Sequence, residues 1–147
     1  MKTLEFLSKY SGVILDRNDN YGDWLGYDID EVDAKNNEVK TSLPIKDAHL
    51  SPTGAVHGGV ISGFLDSSLG CAVMTVLDNG EMCSTVELSV RFFKPLKPGD
   101  KIIAESKVLN AGRSLCTVIA KVYKESAPDI EISIATATFN RYKLRKT

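Results

Sequence analysis

Between Val56 and Leu77 the chain runs for 22 residues with one charged side chain, Asp66. The stretch is too long for a strand and, with an acid at its middle, unsuited to crossing a bilayer, so it predicts a helix buried by the rest of the chain. Gly59, Gly63, Ser67 and Gly70 recur along it at spacings of four, four and three. They form one stripe that lets another backbone approach closely, and Asp66 lies on it.

A buried helix needs a cover, and the flanking pattern supplies one. Residues 3–15 place Leu4, Leu7 and Tyr10 on one face of a short lead-in helix. Leu25, Tyr27 and Ile29 alternate with other residues, as do Val39, Thr41, Leu43 and Ile45 after the Asn36-Asn37 turn, which predicts a hairpin. Beyond Asn79-Gly80, Val86, Leu88, Val90 and Phe92 alternate with Glu87, Ser89 and Arg91. Further strands are expected over about 101–110, 114–125 and 130–142, separated by Ala111-Gly112 and Ala127-Pro128-Asp129. One domain of α+β class follows, an antiparallel sheet wrapped around one central helix.

Composition narrows the function. The net charge of −1 divides unevenly: residues 1–90 hold 14 acids and 6 bases, residues 91–147 hold 5 acids and 12 bases. The second half could receive an anion, although bases at alternate strand positions also suit a solvated sheet face. Without a basic run interleaved with aromatics, nucleic acid is disfavoured. Cys71, Cys83 and Cys116 are odd in number and set among apolar neighbours, as expected of reduced thiols in the cytoplasm. The start of the chain lacks the apolar core and cleavage site of a signal peptide, so an unexported, soluble protein without a membrane partner is expected.

No phosphate-binding glycine loop, dinucleotide fingerprint or Gly-x-Ser-x-Gly elbow is present, and two histidines cannot make a His-rich metal site. Asp66 is the exceptional group, because a carboxylate among apolar residues is costly unless it is paired or functional. It is a candidate base or nucleophile, or equally a polar residue bonded across a subunit interface. His57-Gly58-Gly59 marks the helix start, where free N–H groups and the helix dipole suit an oxyanion.

Together, His57-Gly58-Gly59 and Asp66 nine residues after the histidine resemble the signature of hotdog-fold acyl-CoA thioesterases of the phenylacetate-degradation (PaaI-like) type. Thr85–Pro95 is similar to that family's following strand, and Pro98-Gly99-Asp100 to its next turn, so the resemblance spans about residues 40–140. It implies a hotdog fold and hydrolysis of an acyl-CoA without metal or other cofactor. Asp66 would be base or nucleophile and the Gly58 amide the oxyanion donor. His57 would hold the thioester end beside Gly59. Thr85 would bind the attacking water, with Ser84 as the fallback if the register slips by one, and Arg113 and Ser114 would meet the CoA phosphates. Homodimers or homotetramers with sites between subunits are implied. One departure is Ser51, where family members often carry an Asn or Gln that positions substrate or water. A non-catalytic acyl-CoA-binding or sensor module would keep the pocket and Arg113 without needing Asp66. A hotdog dehydratase would show a catalytic histidine in a different motif.

Overall fold

A computed structural model describes residues 1–13 and 18–144. Two helices, α1 (Thr3–Ser11) and α2 (Asn20–Leu25), precede the hairpin of β1 (Asp28–Asp33) and β2 (Glu38–Pro44). The central helix α3 (Gly58–Met74) follows, then β3 (Glu81–Phe92), β4 (Lys101–Ala111), β5 (Leu115–Lys124) and β6 (Ala127–Lys143). All strands pair antiparallel in one six-stranded sheet of order β1-β2-β4-β5-β6-β3. The expected hotdog arrangement is therefore present, with α3 against one face of the sheet and β3 at its edge.

Strand alternation builds the core. Val39, Thr41 and Leu43 on β2, Ile102 and Ala104 on β4, Cys116, Val118, Ala120 and Val122 on β5, and Ala135, Ala137 and Phe139 on β6 are buried toward α3. The helix answers with Phe64, Leu65, Leu69, Ala72 and Val73, all fully buried. One polar relay crosses this interface. Ser68 Oγ donates to the Phe64 carbonyl at 2.7 Å, so its single proton is committed and Thr41 Oγ1 is the donor in the 2.7 Å contact with Ser68.

The structure departs from the sequence expectations at the start of the first hairpin, at the end of the lead-in helix and at the last hairpin. Leu25 closes α2 instead of opening a strand. Asp19 Oδ1 accepts the Gly22 N–H at 3.0 Å, and Gly26, at φ 83°, ends the helix with its N–H on the Gly22 carbonyl. The lead-in helix stops at Ser11 because Gly12 adopts φ 67°; residues 14 and 15, expected within it, lie outside the described residues. Ala127, Pro128 and Asp129 belong to β6, the turn falling at Glu125-Ser126. There β6 has β5 alone as neighbour, its pairing with β3 starting only at Ser133, so the missing proline N–H breaks no inner ladder.

The Thr41–Ser68 relay predicts an asymmetry. Ser68→Ala strands the buried Thr41 hydroxyl and is expected to cost about 2 kcal/mol, whereas Thr41→Val leaves Ser68 bonded to Phe64 and costs under about 1 kcal/mol. Urea unfolding of both variants measures the difference.

Candidate functional site

Position 66 on α3 faces the edge strand. Thr85 Oγ1 donates to Asp66 Oδ1 at 2.6 Å, and the half-buried carboxylate is thereby oriented with Oδ2 left over. Two residues earlier in β3, Cys83 lies 4.0 Å from the Gly70 carbonyl, so Cys83 and Thr85 share the strand face toward α3. Ser84 takes the opposite face, and Thr85 is the hydroxyl that meets Asp66. A bulge follows, since Thr85 pairs with Phe139 and Glu87 with Thr138, leaving Val86 as the extra, exposed residue.

The start of α3 is the second component. His57 caps the helix, with Nδ1 accepting the Gly59 N–H at 2.9 Å, which places the proton of the neutral ring on Nε2. Gly59, expected to serve substrate, has its amide engaged by this cap, and a Cβ there would stand 2.9 Å from His57 Nδ1. Gly58, the first helical residue, has no intrahelical acceptor for its N–H and is exposed. Of the two glycines, then, Gly58 carries the available donor.

A pocket of about 290 Å³ opens beside Gly58, lined by Val56, Ile61, Phe92, Phe93, Lys94 and Leu96. Phe92 and Phe93 are half-exposed on its wall, while Phe64 and Met74 on α3 are core. A larger groove, about 480 Å³, lies far from this chemistry among Glu31, Lys40, Glu105 and Lys121. These side chains are paired with one another, Lys40 to Glu31 and Glu105 at 3.3 and 3.7 Å and Lys121 to Glu105 at 3.0 Å, as on a solvated sheet face.

The remaining expected residues are dispersed. Ser51 Oγ meets Thr53 Oγ1 at 2.8 Å and its N–H binds the Ala55 carbonyl, so this side chain shapes the loop before α3. Arg113 and Ser114 are exposed in the β4–β5 turn, and the Ser114 carbonyl accepts the Arg141 N–H. Much of the C-terminal excess of bases is neutralised across strands, Lys107 by Glu38, Lys101 by Glu125, Lys124 by Asp100 and Arg141 by Glu81. Arg113 has no ion pair among the described residues. Burial pushes the thiols of Cys71 and Cys83 up to about 12, which removes both as thiolate nucleophiles at neutral pH. His49 is buried under Trp24, and burial followed by the Lys46 charge lowers its pKa, keeping it neutral. No cluster of three His, Cys, Asp or Glu suited to a metal occurs among the described residues, and no described helix is long and apolar enough to cross a membrane.

Tyr21 is the neighbour that the sequence patterns did not single out. Its hydroxyl lies on Gly63, one turn before Asp66, where a Cβ would be 1.8 Å from it. The Asp19-x-x-Gly22 cap is the signal that could have placed it.

The family model described as "Thioesterase superfamily" matches residues 53–130. Acyl-coenzyme A thioesterase 13 of Mus musculus is 24% identical over 84 residues, 57% of this chain and 59% of that protein. A phenylacetic acid degradation-related protein from Ralstonia eutropha JMP134 superposes with a TM-score of 0.78 at 26% identity, over 92% of this chain and 98% of that one. A hypothetical thioesterase protein with coenzyme A from Streptococcus pneumoniae TIGR4 shares the fold, with a TM-score of 0.71 at 20% identity over 82% and 88% of the two chains.

The two glycines are predicted to respond differently to a methyl group. Gly59→Ala pushes the His57 ring off its cap and is expected to lower stability by about 1 kcal/mol. Gly58→Ala meets only the Phe92 ring edge, 3.5 Å away, and stays within about 0.5 kcal/mol of the parent. Thermal unfolding of the pair tests the cap.

Proposed function

The chain belongs to the thioesterase superfamily and is a thioester hydrolase, and on that premise we propose that it hydrolyses acyl-coenzyme A esters at a site shared by two copies. The observation that carries this reading is the Asp66 carboxylate, held by Thr85 on a half-open flank of the helix whose first amide, at Gly58, has no acceptor among the described residues.

In this reading the thioester oxygen faces the Gly58 N–H, where the helix dipole and the amide stabilise the charge that develops on attack. Asp66 takes a proton from water as the water adds to the carbonyl carbon, or attacks that carbon itself. Addition of water breaks the C–S bond and releases the acid and the CoA thiol directly; direct attack expels the thiol and leaves a mixed anhydride on Asp66, which water then hydrolyses to the acid. Thr85 fixes the carboxylate through Oδ1, which leaves Oδ2 to face the water. Phe92 and Phe93 would contact the acyl end or the pantetheine arm, and Arg113 a CoA phosphate.

Two copies are needed for a geometric reason. Gly58 and Asp66 are eight residues apart on one helix, a rise of about 12 Å, whereas a carbonyl group held about 3 Å from the amide must have its carbon within reach of the carboxylate or of a water bound to it. The outer edge of β3, beside Asp66, has no strand partner among the described residues and offers twelve residues of edge to a second chain. Three unpaired cysteines are consistent with a reducing, cytoplasmic setting.

Asp66→Asn keeps the size and the Thr85 contact but removes the base. Turnover of acyl-CoA esters, followed by thiol release, is expected to fall at least about a hundredfold without loss of fold; undiminished turnover would contradict the role. Arg113→Ala is expected to raise KM for an acyl-CoA far more than for the same acyl group on a thiol lacking the nucleotide. Equal changes on both substrates would make Arg113 structural.

A further inference from the structure

Helix α2 sets a phenol on the same flank of α3 as Asp66. Residues three apart on a helix share a face, with Cβ positions about 5–6 Å apart, so Gly63 and Asp66 are neighbours. Because Gly63 has no side chain, the Tyr21 hydroxyl occupies the place a methyl would take. Helical side chains lean toward the N-terminus, which tilts the Asp66 carboxylate back toward Gly63. The phenol and the carboxylate thus share one flank of the helix at a separation on the order of 5 Å, about the span bridged by one water, and the Asp66 charge reaches the phenol.

Several contacts hold the phenol there. Asp19 and Gly26 cap α2 at its two ends, Trp24 lies 6.1 Å from the Tyr21 ring, and Trp24 in turn meets the buried His49 edge-on at 6.3 Å. Tyr21 and Trp24 remain 50% and 55% exposed, so the space in front of them is open. No hydrogen bond engages Tyr21 Oη among the described residues, and the side-chain bond to Asp66 comes from Thr85. Desolvation and then the Asp66 charge raise the Tyr21 pKa, so the phenol stays protonated across the working range of a carboxylate base.

We propose that Tyr21 is a positioning residue of the thioesterase site, whose hydroxyl oxygen holds the hydrolytic water against Asp66 from the α2 side, and that residue 63 is glycine to admit it. This rests on the assignment of Asp66 as the base. The water directs one proton to Asp66 Oδ2 and the other to Tyr21 Oη, leaving a lone pair toward the thioester carbon. On attack the first proton passes to Asp66 and the second stays on the added oxygen. When the C–S bond breaks, the sulfur takes the electron pair and recovers the proton from Asp66. Tyr21 exchanges no proton; it orients the water.

The test uses full-length protein and two probes, hexanoyl-coenzyme A and benzoyl-coenzyme A, scored on whichever the wild type hydrolyses faster. Tyr21→Phe keeps the ring and is expected to lower kcat about tenfold with KM within about twofold, the size of one lost hydrogen bond. Gly63→Ala displaces the hydroxyl and is expected to lower kcat similarly. The double variant is expected to be no worse than the weaker single one, because phenylalanine has no hydroxyl to displace. Wild-type kcat in Tyr21→Phe, a change confined to KM, or losses that multiply in the double variant would each overturn the role of Tyr21. Asp66→Asn in the same series separates the two claims. If Asp66→Asn is inactive while Tyr21→Phe is fully active, only the Tyr21 inference falls; if Asp66→Asn is active, both fall.

Discussion

Both halves of the proposed chemistry ride on one helix, and the rise of that helix fixes their separation. Gly58 supplies a free amide at its first residue and Asp66 a carboxylate two turns on, about 12 Å away. No rotamer closes that distance. The rest of the architecture makes the separation usable: the sheet buries one side of α3 in a close-packed core, while β3 at the sheet edge leaves the Asp66 flank reachable. Coupling an amide to a carboxylate then becomes a matter of how two copies meet.

Rigidity of α3 is correspondingly important. The Thr41–Ser68 relay ties its middle to β2, the His57 cap fixes its start, and Thr85 orients its one acid. Each glycine of the small-residue stripe has a different use. At Gly59 it lets the cap close, at Gly63 it admits Tyr21, and at Gly70 it allows Phe139 of the sheet within 3.4 Å of the missing Cβ. The stripe that suggested the approach of another backbone is occupied at these points by side chains of the same chain.

Much of this was legible in the sequence because its signals are local. A 22-residue apolar run with one acid indicated the helix, two-residue alternation indicated β2 and β3, and the turns that separate them indicated β4 and β5. The family resemblance implied Thr85 as the residue that binds the attacking water; its direct hydrogen bond to Asp66 did not follow from it, and strand alternation in the structure separates Thr85 from Ser84. What stayed hidden is either short or non-local. Helix α2 has six residues, too few for a period, and announces itself only through Asp19, Gly22 and Gly26. The neutralisation of the C-terminal bases depends on pairs such as Glu38 with Lys107, 69 residues apart, which no window reveals. Likewise, nothing in the sequence tells that Ser51 is engaged by Thr53.

The central claim, that one active site draws its oxyanion donor and its carboxylate from different copies, is tested most directly by complementation. Proline is well tolerated at the first position of a helix and lacks the N–H, so Gly58→Pro deletes the donor alone, and the extended backbone of His57 is compatible with it. Asp66→Asn deletes the base. Each variant is assayed by itself and then after co-refolding in equal amounts, with subunit exchange verified by mass. Random pairing makes about half of the dimers mixed, each with one doubly defective and one intact site, so the account predicts recovery to about a quarter of wild-type activity from two inactive parents. Mixed dimers that form and remain inactive would contradict it, since every site would then carry one defect.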